Sequence, residues 1–439
     1  MNVQAQEALR ESLSASQMAA ARHNAIRNRD YNLALGPVDL LFDAGFSAEW
    51  NDNVRLQSEG ASLDSTEPEP GLGPPRRLAG LQDGSGAKNS SRTTGQATSP
   101  STHSGVMSDF IFRPTANMHG VWPITELNTL YFSIGTSYQK YLRESQLDRF
   151  TIAPESHTAF DIYVGDVALT FYDKFSFNTD PLSEGSVSGV GDYGRMENTA
   201  GLTAAWDLNA AILSGGYSHL TSLSTSPQFE YTDHATDMFY LRSSFKPHPA
   251  VIAGLDSSLG LNRYDQQLLT DSVNYTFGAF VNWEITDSIR AQANAGYSIY
   301  DFDQGSGLFL VDDVDGMYFD LTVSHLVNRW MSHQLNAARS FRVGINSDIQ
   351  DTYRFGYTAT LQFIRDLAIN LDAAYELGNE PFFLESETYR RYLVGAGTSY
   401  QLMEKLRASL AYRFTTKTSD TAIRDYHQNQ VTLTLNYKF

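Results

Sequence analysis

Three short motifs in this sequence contain residue types that could carry chemistry, and the first is a run of glycines. The segment Gly189-Val-Gly-Asp-Tyr-Gly194 has the letters of a dinucleotide-binding fingerprint, whose glycines let the backbone approach a pyrophosphate. That fingerprint requires a strand before it and a helix after it. Here the segment falls in a Gly- and Ser-rich stretch between two predicted strands, so we interpret it as a loop.

The second motif is the acidic cluster Asp312-Asp313-Val314-Asp315-Gly316, which offers the oxygen ligands that Ca²⁺ prefers. An EF-hand loop also needs an acid five residues before its glycine, and Val311 stands at that position. We interpret the cluster as a solvated loop, with an opportunistic surface cation as the alternative.

The third motif is Asp233-His234 with Asp237, at a predicted outer loop, where an Asp–His pair could act as a general base. Adjacent residues of a strand point to opposite faces, so this pair is not automatically a dyad. A membrane-embedded hydrolase is the minor alternative, and we predict no enzyme activity. The 10 histidines show no metal-ligand spacing and cysteine is absent, so we predict neither a metal nor a cofactor.

The elements that would position these residues are strands. At the C-terminus, Val431, Leu433, Leu435, Tyr437 and Phe439 alternate with polar residues and share one face of a strand. The same pattern recurs along most of the chain after Val38. Repeated strands of about ten residues, apolar on one face and polar on the other, are typical of a transmembrane β-barrel.

Composition excludes several classes of protein. The mean hydropathy of the 439 residues is −0.33. A membrane-spanning helix requires a run of about 18 or more apolar residues, and the sequence has no apolar run near that length. The net charge of −18 argues against a nucleic-acid partner, which would need a basic surface. An aromatic content of 12% suits strands and the aromatic belts at membrane interfaces.

The turns distinguish a barrel from a soluble sandwich. Short connections are predicted at 123–126, 165–166, 207–209, 246–249, 286–287, 328–331, 365–366 and 404–405. Longer ones alternate with them at 143–156, 179–194, 223–232, 264–270, 302–313, 345–350, 380–386 and 419–426. Short periplasmic turns and long outer loops are the asymmetry of an outer-membrane barrel. We predict an all-β, antiparallel up-and-down barrel of about 18 strands, with 16 as the alternative count.

Four of the five tryptophans lie beside the short turns and predict an aromatic girdle at the inner interface: Trp122, Trp206, Trp283 and Trp330. Arg339 is in phase with the apolar positions of its strand. We expect it to lie near the outer rim, where a lipid-facing Arg costs little, or expect a β-bulge that shifts the phase of the strand there.

Two segments stand apart from the strands. Residues 1–37 are predicted as an N-terminal periplasmic segment with a helix over about 5–30, because 6–28 lack Gly and Pro. It is the candidate contact for a periplasmic partner or a second copy of the chain. The barrel is predicted over 38–439 and includes a long, mobile extracellular loop at 57–106, rich in Ser, Gly and Pro. No export signal is visible in 1–30, so a barrel would need one upstream.

Charged residues on the inward face are the candidate pore lining: Arg113, Lys174, Asp256, Arg290, Asp320, Arg354, Asp372, Glu376, Arg407 and Arg413. Opposite charges across a channel would set the field that a solute meets. The alternative for each residue is that it pairs with a neighbour and only fills space.

Two segments resemble a known family, and a third resembles a signal that outer-membrane barrels share. Phe46-Ser-Ala-Glu-Trp-Asn-Asp-Asn-Val54 resembles the first strand of the putative beta-barrel porin 2 family. Asp109-Phe-Ile-Phe-Arg-Pro114, followed by a turn with Trp122-Pro123, is similar to its second strand. The terminal Tyr437-Lys-Phe439 resembles the assembly signal that outer-membrane barrels present to the barrel-assembly machinery. The resemblance implies a barrel and supplies no catalytic residues.

We therefore expect a β-barrel in the outer membrane of a Gram-negative bacterium, in contact with the lipid bilayer. The leading hypothesis is a porin-like channel for passive diffusion of small hydrophilic solutes or ions. The alternatives are a structural barrel without an open pore, which docks periplasmic or extracellular partners, and a barrel for polysaccharide export.

Overall fold

The computed structural model describes residues 31–58, 106–307, 311–345, 347–364, 366–381 and 386–439. These residues form one antiparallel sheet of 20 strands. The strands are β1 Leu33–Leu35, β2 Val38–Asn51, β3 Asp109–Pro123, β4 Asn128–Tyr141, β5 Arg149–Ile152, β6 His157–Val164, β7 Val167–Asn178, β8 Arg195–Asp207, β9 Ala211–Ser224, β10 His234–His248, β11 Val251–Tyr264, β12 Ser272–Thr286, β13 Ile289–Phe302, β14 Val314–Asn328, β15 Met331–Arg342, β16 Gln350–Ile364, β17 Leu367–Glu380, β18 Glu387–Met403, β19 Leu406–Ser419 and β20 Tyr426–Lys438.

The helical elements of the described residues are short 3₁₀ helices at Ser145–Leu147, Pro181–Ser183, Pro227–Thr232 and Ala422–Arg424. Within these ranges no helix has the length and apolar character to cross a bilayer.

The sheet closes on itself, because β20 pairs with β2 as well as with β19. β5 and β6 lie one after the other along β4, so together they make one interrupted strand of the wall. β1 only folds back on β2. The closed wall therefore has 18 strands, as the sequence predicted. The prediction was wrong at β5, which lies inside the stretch 143–156 that was predicted to be a loop.

The connections differ in length at the two ends of the barrel. At one end, two to four residues join successive strands, as at 165–166 between β6 and β7. Gly165 has a φ of +60°, the left-handed conformation that glycine adopts without strain and that tight hairpins use. The long connections all lie at the other end, which we name the outer end. The predicted asymmetry of the turns is thus present.

The polar side chains lie inside the barrel and the apolar ones outside, which is the reverse of their arrangement in a soluble protein. Inward-facing Ser218, Ser298 and Thr415 have no exposed surface, whereas outward-facing Leu255 and Phe277 are 63% and 59% exposed. An exterior of large apolar side chains around a polar interior is the arrangement of a barrel in lipid.

Arg339 lies three residues from the outer end of β15 and on its outward face. Its guanidinium is 2.9 Å from the Asp351 carboxylate and lies over the rings of Phe341 and Tyr353. The expected position near the outer rim is therefore correct, and the pair reduces the cost of a charge on this face.

Some predictions fall outside the described residues. The predicted N-terminal helix lies in 1–30, and almost all of the predicted mobile loop lies in 59–105. Residues 33–35 of the predicted N-terminal segment form β1.

Candidate functional site

The connection between β7 and β8, residues 179–194, folds into the barrel, and we name it the inner loop. It reaches β18 and β19, which are separated from β7 along the wall by β20, β2, β3, β4 and the β5–β6 strand. Arg391 of β18 donates to the Leu182 carbonyl at 3.0 Å, and the Lys417 ammonium of β19 lies 3.1 Å from Ser188 Oγ. The inner loop therefore spans the lumen and is bound to the far wall.

An apolar cluster holds the inner loop from the outer side. Its members come from four connections at the outer end and are Val187, Val190, Tyr193, Phe229, Tyr231, Leu269 and Ile345. The rings of Tyr193 and Phe229 meet edge to face, with 4.8 Å between their centroids. Burial raises the pKa of the Tyr193 hydroxyl, which stays neutral at physiological pH. The inner loop is thus packed against three other connections at the outer end of the barrel.

Beneath the inner loop, charged side chains form a buried network. The Arg391 guanidinium lies 2.9 Å from the Glu376 carboxylate, which also accepts from the Tyr389 hydroxyl at 2.9 Å. Arg342 lies 3.2 Å from Glu184 of the inner loop. Removing one partner of such a pair leaves an uncompensated buried charge, at a cost of about 3–5 kcal/mol.

A second buried group lies on β18 and β19. Glu387 contacts Lys417 at 2.7 Å and Arg424 at 2.5 Å, so one acid holds two cations. Lys417 in turn contacts the Ser186 carbonyl and the Ser188 hydroxyl of the inner loop. These contacts attach the inner loop to the wall through charge-assisted hydrogen bonds, which are stronger than neutral ones.

A cavity of about 610 Å³ remains beside the inner loop, against the wall formed by β2–β4 and β17–β20. Pro181, Leu182 and Gly191 line it from the inner loop, and Ser409 and Thr432 line it from the wall. Most side chains that the wall directs into it are polar or charged. The cavity is therefore a hydrated space and differs from the packed region next to it.

Both signs of charge meet in this cavity. The Arg113 guanidinium is 2.6 Å from the Glu49 carboxylate. Asp180 is open to the cavity but lies deep in the barrel, where loss of bulk hydration raises the pKa of its carboxyl group. Arg413 and Asp372 also line the cavity, and among the described residues neither of them forms a hydrogen bond or an ion pair.

The ten residues predicted to line a pore take different positions. Three line the cavity: Arg113, Asp372 and Arg413. Glu376 belongs to the buried network. The other six occupy inward-facing register positions elsewhere on the wall: Lys174, Asp256, Arg290, Asp320, Arg354 and Arg407. Whether any of them contacts a solute stays a prediction.

The glycine-rich motif lies in a loop, as predicted. The acidic motif was predicted to be a solvated loop, and this is wrong for its second half, because Val314, Asp315 and Gly316 begin strand β14. Gly189–Gly194 belongs to the inner loop and is followed by strand β8, so the helix that a dinucleotide fingerprint requires is replaced by a strand. Asp313 accepts from the Phe302 backbone N–H, and Asp315 accepts from the Tyr297 hydroxyl. Among the described residues no group of three acids or histidines is placed to hold a metal ion.

The candidate Asp233–His234 pair, which was not expected to be automatically a dyad, does not form: His234 Nδ1 contacts the Thr232 carbonyl, and Asp233 accepts from the Ser224 N–H. On the outward face, His219 Nδ1 lies 2.8 Å from Asp237, and its Nε2 lies 3.3 Å from the Thr221 hydroxyl.

This order of groups is that of a hydrolase triad. However, Tyr217 and Arg263 also bind Asp237, and the backbone amides of β9 and β10 are committed to the sheet. These paired backbone amides therefore do not form an oxyanion hole at the cluster.

The four tryptophans predicted to form a girdle lie on the outward face. Three lie beside short turns, and Trp330 lies in one. Their exposed fractions are 38% for Trp122, 48% for Trp206, 47% for Trp283 and 39% for Trp330. Tyr437 and Phe439 are also exposed on the outward side, with their rings in edge-to-face contact. Their roles as a membrane girdle and as an assembly signal stay predictions.

The sequence analysis missed several charged residues of the site: Glu49, Asp180, Glu184, Arg342, Glu387, Arg391 and Lys417. The period-two pattern already places Glu387, Arg391 and Lys417 on the face of Glu376 and Arg413, and extending it would have found them. Asp180 and Glu184 are loop residues, for which alternation gives no signal.

The model of one protein family, putative beta-barrel porin 2, matches residues 92–439. The predicted first-strand motif at 46–54 precedes this match. No curated protein matches the sequence.

Several crystal structures from Pseudomonas aeruginosa resemble the fold. OpdK, determined with vanillate, has 8% identity and a TM-score of 0.48, with 91% of this chain and 99% of OpdK covered. OpdQ has 10% identity and a TM-score of 0.48, with 92% and 98% covered. OccK9 (OpdG) has 12% identity and a TM-score of 0.46, with 91% and 99% covered. At such identity, the ligand of a neighbour says nothing about a solute of this chain.

Proposed function

Because the chain belongs to the putative beta-barrel porin 2 family and is therefore an outer-membrane porin-like barrel, we propose that small hydrophilic solutes cross it through the cavity beside the inner loop. The observation that carries this proposal is the contrast within the lumen. One side is filled by the inner loop and its buried ion pairs, and the other contains a polar cavity of about 610 Å³.

The size and the lining of the cavity indicate what could pass. A space of about 610 Å³ is in the range of small-molecule sites and is too small for a folded protein. Its polar side chains can replace part of the hydration shell of a solute, which lowers the barrier to entering a narrow passage. We infer a narrow channel with a small conductance.

Conductance in planar bilayers tests this proposal. Asn178 and Arg195 are directly paired across β7 and β8, so an Asn-Gly turn can replace residues 179–194 without changing the strands. We expect small, stable current steps for the full chain and steps several-fold larger for this variant. A folded full-length barrel and a folded variant that are both silent would overturn the proposal.

The alternative of a structural barrel without an open pore is favoured by one observation, the apolar cluster that packs the inner loop against three other connections at the outer end. The same recordings decide between the two. A full-length chain that is silent, together with a variant that conducts, would mean that the inner loop closes the barrel.

A further inference from the structure

Resting on the proposed function, we propose that the cavity is a selective site for small zwitterionic solutes, with Arg413 binding the carboxylate and Asp372 binding the ammonium group. The two residues are related by strand register. Asp372 of β17 pairs with Gly395 of β18, which pairs with Arg413 of β19. They therefore lie in one row, two strand spacings apart, or about 10 Å between Cα atoms.

Gly395 lets the two charges approach each other. A Cβ atom at Gly395 would collide with the carboxyl atoms of Asp372, so this side chain leans over the glycine, toward Arg413. The two groups nevertheless form no ion pair with each other. A space remains between an acid and a base, and a molecule with both charges can occupy it.

The other charges of the cavity form no ion pair with Arg413 or Asp372. Arg113 is occupied by Glu49 at 2.6 Å. Asp180 faces the same space and interacts electrostatically with both Arg113 and Arg413. The Oδ1 atom of Asp180 accepts a hydrogen bond from the Leu182 N–H at 2.9 Å, and this bond fixes the carboxyl group at the rim of the cavity. The unpaired groups are thus one of each sign, and this matches a dipolar solute better than a simple anion or cation.

The affinity of such a site for a solute would be weak. Weak affinity suits a channel, because each bound solute must leave before the next can pass. An exposed ion pair contributes little free energy, so a bound solute can also leave. The expected effect is a higher occupancy of the passage by zwitterions and therefore faster entry than for a neutral solute of the same size.

Liposome swelling with matched solutes tests the inference. The probes are alanylalanine, a zwitterion, and arabinose, a neutral sugar of similar mass. Wild-type protein should admit alanylalanine about threefold faster than arabinose, the ratio expected for one weak, screened pair of contacts. Arg413→Gln and Asp372→Asn should each bring this ratio close to one by slowing the entry of alanylalanine. Arg390→Gln, on the outward face of β18, is the matched control and should keep the wild-type ratio.

A charge-swapped variant, Asp372→Arg with Arg413→Asp, keeps one charge of each sign and should restore the preference. Equal rates for both probes through wild-type protein would overturn the inference, as would a preference that survives both single substitutions. Entry of neither solute would instead contradict the proposed channel function. Heat-modifiable migration on gels confirms that each variant is folded.

Discussion

Asp372 and Glu376 lie four residues apart on the same face of β17, yet their surroundings differ. Glu376 is 1% exposed and paired with Arg391, which is fully buried. Asp372 faces the hydrated cavity and has no partner among the described residues. The inner loop causes the difference, because Gly185 packs directly against Glu376 and ends its contact with water. The alternation of the strand determines which face a residue occupies. The inner loop determines whether a charge on the inward face is buried in an ion pair or exposed to the hydrated cavity.

The largest expected effect comes from removing one partner of the buried ion pair beneath the inner loop. Arg391→Ala leaves Glu376 buried without its ion-pair partner, and should lower the free energy of unfolding by about 3–5 kcal/mol. Urea unfolding in lipid vesicles, followed by tryptophan fluorescence, measures it. Arg390→Ala is the control on the opposite face of the same strand and should change stability by less than about 0.5 kcal/mol. Similar losses for both variants would mean that the ion network does not stabilise the barrel.

A smaller loss is expected at the second anchor. Lys417→Met removes the contacts to the inner loop but leaves Glu387 paired with Arg424, so the cost should be about 1–3 kcal/mol. The loosened inner loop should also make the single-channel current noisier. A variant as stable and as quiet as wild type would show that Lys417 does not hold the inner loop.

On the open side, charge should alter selectivity while stability stays unchanged. Arg413→Gln should raise the selectivity for K⁺ over Cl⁻, and Asp372→Asn should lower it, because each removes an unpaired charge from the cavity. The reversal potential in a KCl gradient measures both. Stability should change by less than about 0.5 kcal/mol, in contrast to Arg391→Ala. Identical reversal potentials in all three proteins would place the current elsewhere in the lumen.

The smallest effect concerns pH. Loss of bulk hydration inside the barrel raises the pKa of Asp180, so its carboxyl group is protonated at a higher pH than an ordinary aspartate. Lowering the pH should therefore reduce cation selectivity early in the acid range, and Asp180→Asn should lack this step while keeping the bond to the Leu182 N–H. The stability that this group contributes is complete below the ordinary pKa of aspartate and is lost as the pH rises through the raised value.

Local periodicity explains why so much of the wall could be predicted. Each strand carries its own apolar and polar faces, so the alternation around residues such as Phe277 and Arg413 is visible without any partner strand. The short turns are equally local, as at Gly165. Even the exception at Arg339 was placed correctly, because the cost of a charge depends on its depth in the membrane.

The interior could not be predicted in the same way. Lys417 and Ser188 are separated by 229 positions, and nothing near either residue indicates that they meet. The inner loop is polar and rich in glycine, which suggested an ordinary outer loop. Its fold depends on a cluster of apolar residues from four connections. These residues are far apart in the sequence, so no local pattern indicates that they pack together. Likewise, His219 and Asp237 became neighbours only through the register of β9 and β10.

Thiol accessibility tests the central claim most directly, because the chain has 0 cysteines and any introduced cysteine is unique. Arg413→Cys and Thr415→Cys lie two residues apart on the inward face of β19, one at the cavity and one with 0% exposure. With a water-soluble, charged thiol reagent, the cysteine at 413 should react rapidly and the cysteine at 415 should react slowly until residues 179–194 are replaced by a turn. Equal reaction rates at the two positions in the intact chain would contradict a lumen divided by the inner loop into a sealed side and an open one.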